Sequence, residues 1–512
     1  MYWLIDTHMI FTMLFNTPQY ILFLPFVVII YYVIPKKIRY IWLLATSYWF
    51  YMQWNPLYII LLFSCTLITY FGARLIEWGG AKSKKSKACF AVCIILNLSI
   101  LGFFKYLGFA VNLLNRLLEA MHVGAISWDI DILLPVGISF YTLQALGYLI
   151  DVYRGDVYAE KNFILYALFV SFFPQLVAGP IERSKNLLVQ LHTFHSLKYE
   201  NIRRGALFVL YGLFLKMVIA DRAAVLVDTV YGDSAAYPGF YIVVATVFFA
   251  IQIYCDFYGY STIARGSALL MGIELMDNFK APYYARSVQE FWRRWHVSLS
   301  GWFRDYLYIP LGGNRKGKLR KECNLLVVFA ISGLWHGASL AFLLWGFLNG
   351  IYQVAGDLSA MVKEFVVKCY ERWIGSIESR KENNTFGMEI FRTLTTFALV
   401  TFAWLFFRAG GLGDAMQVLK NMLSNNNWMI LFDGSLYELG VARNYMNVLL
   451  FSILLLFIVD YHKYRDRDVA GIFLAQNWCF RICGIMLLLF IILLYGCYGE
   501  LYDIQQFIYF QF

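Results

Sequence analysis

The chain has 512 residues, of which 60% are hydrophobic and 15% are charged, and its formal net charge is +10. Because an ordinary soluble domain carries about 25% charged residues, this composition excludes a soluble globular protein. The Lys and Arg residues lie between apolar runs, which leaves no basic soluble domain to bind a nucleic acid. The runs are continuous rather than alternating, and several approach the roughly 20 residues that cross a bilayer as a helix. We therefore predict an all-α polytopic integral membrane protein.

The amino-terminal apolar runs are separated by loops of unequal charge. PKKIR follows the first run and AKSKKSK follows the third, whereas the turn between the second and third runs is uncharged. The positive-inside rule therefore places residues 35–39 and 81–87 in the cytoplasm and the amino terminus outside. The next loop holds Asp129 and Asp131, as expected for an outer loop. The four runs cover residues 20–34, 40–54, 57–76 and 88–114.

Two later segments, 133–155 and 163–185, contain residues that break helices. The second is interrupted at Pro174 and at AGP, and both of its flanks, near Arg154 and Arg183, are basic. We predict that it is re-entrant, entering and leaving the membrane on the cytoplasmic side. Irregular backbone at that depth is tolerated only where protein or a water-filled cavity surrounds it.

Residues 280–321 hold ten Lys or Arg against only Glu290 and Asp305. Placed on one helix, Arg293 and Arg304 share a face and four aromatic residues share another: Phe291, Trp295, Trp302 and Phe303. This pattern is typical of a helix in the membrane interface, with its basic side toward the cytoplasmic headgroups. The glycine-rich basic turn LGGNRKGK follows, without a Walker pattern for phosphate.

The carboxyl-terminal part alternates apolar and polar stretches. Residues 324–356 return to the membrane, and the polar stretch 357–388 follows, with KENN inside it. Further apolar runs come at 391–408, 446–460 and 482–498. We predict about eleven to thirteen membrane-embedded helices, re-entrant ones included. The predicted parts of the chain are amino-terminal helices (1–130), a core that contains the basic helix (131–356) and carboxyl-terminal helices (357–512).

Two of the seven histidines are candidates for chemistry: His336, in the apolar run ISGLWHGASL, and His296, in FWRRWHVSLS. The unperturbed pKa of histidine, about 6.5, suits a general base near neutral pH. Gly333 and Gly337 flank His336 and permit close backbone approach. Two alternatives stay open: His336 bridges two helices by hydrogen bonds, and His296 is exposed to water. The other five histidines lie near segment ends or in loops: His8, His122, His192, His195 and His462.

Asp256 is the other polar group of note within an apolar run, IQIYCDFYGYS. Gln252 and Tyr260 fall one helical turn to either side of it and are placed to share its hydrogen bonds. We expect Asp256 to have a supporting role and to pair with Arg265 or with an arginine of the basic helix. Neither His nor Cys shows the clustered spacing of a metal site, and no metal is predicted.

The stretch IQIYCDFYGYSTIARGSALLMGIELMDNFKAPYYARSVQEFWRRWHVSLSGWFRDYLYIPLGGNRKG, followed by GLWHGASLAFLLWGFLNG, resembles the core of the membrane-bound O-acyltransferase family. The likeness is to the bacterial branch that O-acetylates alginate and peptidoglycan, and it covers about residues 130 to 350. The ending FIYFQF is also similar. YCDFYGYS departs from the family's DFSGYS by placing Tyr258 where a serine is usual, so Tyr258 is given no role.

The resemblance implies that His336 is the family's catalytic WHG histidine and that His296 matches its second, more variable position. The family fold is a ring of helices around a funnelled centre, with the catalytic histidine in a tunnel. Donor-binding or supporting roles are expected for a further group of residues: Arg293, Arg294, Trp295, Asp256, Asn324 and Trp335. No permanently bound cofactor is expected.

The resemblance also implies an acyl transfer across a bacterial cytoplasmic membrane. The donor would be a cytoplasmic thioester, acetyl-CoA or an acyl carrier protein, and an SGNH-type extracytoplasmic partner would pass the acetyl group to a polysaccharide. One alternative is D-alanyl transfer to teichoic acid by a member of the same family. Another, of a different class, is a transporter or flippase for lipid-linked sugars that performs no covalent step.

Overall fold

The computed structural model describes residues 13–80, 82–122, 124, 134–177, 179–374, 385–498 and 507–508, with the backbone alone for 363–374. The predictions made for His8, for the loop with Asp129 and Asp131, for KENN and for most of FIYFQF lie outside these residues. Within them, all regular structure is helical. Six helices in the described part of the chain are long and apolar enough to cross a membrane: Tyr58–Trp78, Lys84–Ala120, Phe240–Leu270, Phe386–Arg408, Arg443–Tyr464 and Trp478–Tyr495. The protein is an all-α polytopic membrane protein, as predicted.

The α-helices follow one another in this order: α1 (Pro18–Val33), α2 (Arg39–Met52), α3 (Tyr58–Trp78), α4 (Lys84–Ala120), α5 (Ile138–Arg154), α6 (Phe163–Ser171), α7 (Phe173–Leu176), α8 (Ser184–Leu191), α9 (Tyr199–Phe214), α10 (Asp221–Gly232), α11 (Phe240–Leu270), α12 (Val288–Arg294), α13 (Val297–Phe303), α14 (Lys318–His336), α15 (Leu340–Ile374), α16 (Phe386–Arg408), α17 (Leu412–Leu423), α18 (Arg443–Tyr464), α19 (Val469–Leu474) and α20 (Trp478–Tyr495). A π-helical segment, Leu215–Ala220, joins α9 to α10.

The described residues fall into two compact units. The first takes its residues from Met1–Val218, Cys255–Asp277 and Ala470–Gln511, and the second from Ile219–Tyr254 and Asn278–Val469. The predicted boundaries at residues 130 and 356 divide the chain into continuous stretches, whereas each of the two units combines separate stretches. The predicted boundaries therefore stay a prediction. Helix α15 runs without interruption from 340 past residue 356 to Ile374, into the stretch that the sequence marks as polar.

In the first unit, the interrupted segment 163–185 folds as two short buried helices. Asn162 caps α6 by accepting from the backbone N–H groups of Ile164 and Leu165, and the helix ends after nine residues. Nine residues rise only about 14 Å, less than half the roughly 30 Å of a hydrocarbon core. The carbonyl oxygen of Phe169 accepts from the side-chain amides of Gln144, at 2.5 Å, and Gln175, at 2.8 Å. Buried glutamines therefore satisfy the backbone where the helix stops; the re-entrant topology itself stays a prediction.

In the second unit, the predicted single basic helix is wrong, because the chain breaks at Trp295 and His296 between α12 and α13. The predicted division into an inner and an outer side nevertheless holds. Phe291, Trp295, Trp302 and Phe303 are buried, whereas Arg293 and Arg304 are exposed. Periodicity thus identified the inner aromatic residues correctly but carried no signal for the break.

The predicted segment 324–356 is a helical hairpin, in which α14 ends at His336 and α15 begins at Leu340. The two helices pack closely because glycines face the crossing. A Cβ added to Gly333 would lie 2.2 Å from the carbonyl oxygen of Phe342, and one added to Gly346 would lie 2.2 Å from that of Phe329. The expected close backbone approach beside His336 is confirmed, and it fixes where the histidine sits.

Candidate active site

His336 is the last residue of α14 and lies inside an aromatic cage. Its imidazole is 3% exposed, and three rings surround it at centroid distances of 4.9 Å (Trp335), 5.1 Å (Trp345) and 5.5 Å (Phe407). All three meet the imidazole at steep interplanar angles, between 68° and 86°. Gly337 follows in an extended conformation, and a Cβ there would meet the Phe342 ring at 2.2 Å. The cage holds the imidazole in one orientation and excludes bulk water.

His296 occupies the break between α12 and α13 in a strained conformation. Its φ of 43° and ψ of 55° lie in the left-handed region, which a non-glycine residue adopts at a cost and which often marks functional positions. The neighbouring segment holds it there. Val297 N–H donates to the Asn278 carbonyl at 3.0 Å, and Lys280 N–H donates to the Arg294 carbonyl at 2.9 Å.

His296 is 1% exposed, so the alternative that it simply faces water is wrong. It lies outside the six candidate spans. Burial disfavours the charged imidazolium and lowers the pKa of His296 to about 3. Its imidazole is therefore neutral near pH 7, with one nitrogen able to donate a hydrogen bond and the other able to accept.

The structure brings the two predicted histidines to the same indole. Trp335 lies 6.2 Å from His296 and 4.9 Å from His336 between ring centroids. Trp335 is itself buried. Both imidazoles therefore border one site, although 40 residues separate them in the chain.

A second layer of tryptophans supports this site. Trp295 lies 5.1 Å from Trp404, and Trp404 stacks on Trp345 at 5.4 Å with an interplanar angle of 22°. Trp345 in turn contacts His336. Trp345, Trp404 and Phe407 belong to apolar runs in which nothing distinguishes them, so the sequence alone does not mark them as site residues. Only the packing of α15 and α16 against α14 reveals them.

The two predicted donor-binding arginines differ in what they contact. Arg294 Nε donates to Glu290 at 2.9 Å, its Nη1 donates to the Lys280 carbonyl at 3.1 Å, and its guanidinium lies 4.4 Å from the centroid of the Tyr464 ring. It therefore anchors the end of α12. Arg293 is exposed.

Asn324 holds the glycine-rich basic turn rather than the histidines. Its buried amide donates to the carbonyl oxygens of Gly313, at 3.1 Å, and Leu311, at 3.4 Å. Gly312 and Gly313 have φ values of 111° and 54°, which the turn requires and which glycine adopts without a penalty. Asn324 thus fixes the turn that presents Arg315, Lys316 and Lys318.

Asp256 lies in the first unit, and its expected pairing with an arginine is wrong. Its Oδ1 lies 2.7 Å from Lys216 Nζ, and its Oδ2 accepts from the backbone N–H of Ile508 at 2.7 Å. Arg265 pairs with Asp277 instead, at 3.1 Å. The sequence signal for this pair is Lys216, a lone cation in the apolar run LYGLFLKMVIA.

The geometry defines a class of protein: a polytopic helical membrane protein with two buried histidines that share an aromatic site. Comparison with known proteins gives the family. The family model of MBOAT, the membrane-bound O-acyltransferase family, matches residues 159–372, which include both histidines. Together with the relatives described next, this match shows that the chain belongs to the membrane-bound O-acyltransferase family.

Three relatives place the chain within that family. "Probable alginate O-acetylase AlgI" of Pseudomonas syringae pv. tomato is 35% identical, over 87% of this chain and 82% of the relative. Peptidoglycan O-acetyltransferase of Helicobacter pylori is 35% identical, over 81% of each chain. Teichoic acid D-alanyltransferase of Streptococcus thermophilus is 28% identical, over 52% of this chain and 66% of the relative. The chain is a membrane acyltransferase, and the alternative of a transporter without covalent chemistry is set aside.

Proposed function

We propose that this protein moves an acetyl group from a cytoplasmic thioester donor, across a bacterial cytoplasmic membrane, toward hydroxyl groups of an extracytoplasmic polysaccharide. Relatives named for O-acetylation of alginate and of peptidoglycan align over more than four-fifths of the chain, which supports this assignment. The relatives named for D-alanyl transfer align over about half of it. D-alanyl transfer is therefore the second candidate.

His336 acts as the general base in the proposed reaction. Its imidazole takes the proton of an acceptor hydroxyl as the hydroxyl oxygen attacks the thioester carbonyl carbon, and a new C–O bond forms. When the tetrahedral intermediate collapses, the C–S bond breaks and the imidazolium returns its proton to the thiolate. The products are an O-acetyl ester and a free thiol. The buried cage of Trp335, Trp345 and Phe407 is the observation that carries this assignment, because it orients the ring and limits hydrolysis by water.

His296 positions the donor in this proposal. As a neutral imidazole it can donate a hydrogen bond to the thioester carbonyl oxygen, where negative charge develops. Its contact with Trp335 keeps it beside the site that His336 borders. The strained backbone at His296 is stabilised by its clamp to residues 278–280, as expected for a preorganised group.

The donor and the partner follow from the same proposal. The phosphates of acetyl-CoA, or an acidic carrier protein, would bind the basic surface formed by Arg293 and the turn at 314–318. Arg294 and Asn324 hold that surface in place through their hydrogen bonds to Glu290 and to the Gly313 carbonyl, respectively. An SGNH-type extracytoplasmic partner would complete transfer to the polysaccharide. No permanently bound cofactor takes part.

Glycan analysis of cells that carry His336→Gln tests the proposal. We expect normal amounts of exported polymer that lacks O-acetyl esters by mass spectrometry. His462→Gln replaces a partly exposed histidine whose ring Nδ1 lies 3.2 Å from Arg467 Nη1, and it should leave acetylation unchanged. Acetylation at the wild-type level in His336→Gln would refute the catalytic role. Incorporation of labelled D-alanine rather than labelled acetate would favour the second candidate.

A further inference from the structure

The first unit contains a basic recess where α1, α2 and the segment after α8 meet. It is a small recess that opens to the surface. Its polar lining residues are Tyr31, Lys36, Arg39, Tyr40, Gln190, Thr193 and His195. None of them belongs to the histidine site of the second unit.

Arg39 gives the recess a fixed positive charge. The side chain is 8% exposed; its Nη1 donates to the His195 carbonyl at 2.7 Å and its Nη2 to the Tyr32 carbonyl at 3.2 Å. The guanidinium also lies over the Tyr31 ring, 4.9 Å from the centroid. These partners are neutral. In the part of the chain that the structure describes, no carboxylate forms an ion pair with Arg39 or with Lys36. A buried charge without a counter-charge favours binding of an anion.

Apolar side chains are exposed at the recess and next to its lining residues in the chain. Phe194, which lines the recess, is 62% exposed; Val33, three residues before Lys36, is 79% exposed, and Leu197, two residues after His195, is 62% exposed. A small inorganic anion would leave these side chains uncovered. A ligand with an anionic head and an apolar tail matches both parts of the surface.

We propose that the basic recess binds the phosphate of an anionic phospholipid, whose acyl chains lie against Val33 and Phe194. Lys36 and the N–H groups of Arg39 that face no backbone carbonyl would hold the phosphate oxygens. The loop 35–39 is the one whose charge predicts the cytoplasmic side. Basic pockets at that face of a membrane protein are where anionic headgroups bind. The proposal does not depend on the acyl-transfer chemistry.

The test uses the full-length chain, purified in detergent and stripped of lipid. Short-chain phosphatidylglycerol, phosphatidylcholine and inorganic phosphate are titrated separately, and the midpoint of thermal unfolding and the bound mass in native mass spectrometry are recorded. We expect only phosphatidylglycerol to raise the midpoint and to saturate, because a ligand that binds the folded state alone stabilises it. Lys36→Gln should weaken the apparent affinity about tenfold, the effect of one charge-assisted hydrogen bond.

Lys37→Gln is the matched control, since it removes the same charge from an exposed neighbour that does not line the recess. It should bind phosphatidylglycerol like the wild type. Equal weakening in Lys36→Gln and Lys37→Gln would mean unspecific attraction and would overturn the site. Equal stabilisation by inorganic phosphate would overturn the lipid as ligand, and no response to phosphatidylglycerol would overturn the proposal entirely. Lys36→Glu, a charge reversal at the exposed position, should abolish the bound lipid mass.

Discussion

Lys216 and Asp256 form an ion pair in which both side chains are almost completely buried, with Nζ and Oδ1 2.7 Å apart. Removal of one partner leaves the other as a buried charge without its counter-charge. Asp256→Ala should therefore destabilise the protein by about 3–5 kcal/mol. Unfolding in a denaturing detergent would measure the loss.

Two controls sharpen that prediction. The double variant Lys216→Met with Asp256→Leu removes both charges and should recover most of the lost stability. Asp156→Asn breaks the exposed pair of Asp156 with Lys185 and should cost at most about 1 kcal/mol. If Asp256→Ala lowers the free energy of unfolding no more than Asp156→Asn does, the buried pair of Lys216 and Asp256 does not stabilise the fold.

Helices α14 and α15 pack closely at Gly333 and Gly346, so we expect a larger side chain at either position to clash. Gly333→Ala should destabilise the hairpin by about 1–3 kcal/mol or more, because the new Cβ would lie 2.2 Å from the Phe342 carbonyl oxygen. Gly356→Ala, further along α15, meets nothing within 4 Å and should be neutral or slightly stabilising. Thermal unfolding of both variants in the same detergent checks the difference; similar midpoints would contradict the close approach.

Burial of His296 predicts a dependence of stability on pH. The folded-state pKa is about 3 and the unfolded value is about 6.5, so between these values the unfolded chain binds more protons. The wild type should therefore lose stability as pH falls below about 6.5. His296→Asn removes the titrating group and tolerates the left-handed backbone, so it should lose less stability over the same range. The midpoints of thermal unfolding of the wild type and of His296→Asn, measured from pH 7 to pH 5, test this prediction. If both midpoints fall equally with pH, His296 is not buried as a neutral imidazole.

The aromatic cage predicts a loss of turnover when a wall is removed. Trp345→Ala should lower kcat about ten- to a hundredfold, because the His336 ring is then free to leave its productive orientation. Trp78→Ala, at an 84% exposed position, should leave kcat unchanged. Acetyl transfer by purified membranes measures both. An unchanged kcat in Trp345→Ala would mean that Trp345 does not hold His336 in its productive orientation.

The sequence predicted the class of fold and singled out the two histidines that the structure places beside Trp335, since apolar length and the WHG and WRRWH motifs are local signals. It failed where the structure depends on contacts distant in the chain. Periodicity extended one helix through His296, because the clamp from residues 278–280 leaves no mark on residues 288–304. Asp256 was paired with the wrong cation for a related reason. Arginines are the usual partners, and Lys216 lies 40 residues away.

The nine-residue helix α6 has a consequence for how the chain is made. The Phe169 carbonyl near the end of α6 accepts hydrogen bonds from the side-chain amides of Gln144 and Gln175. In lipid without these partners the carbonyl would have no hydrogen bond, so α6 is not stable there by itself. It therefore cannot be released into the bilayer as an independent unit during synthesis. Gln144 lies in α5, which precedes the segment, and Gln175 lies in α7, directly after it, so we expect α5, α6 and α7 to enter the membrane together.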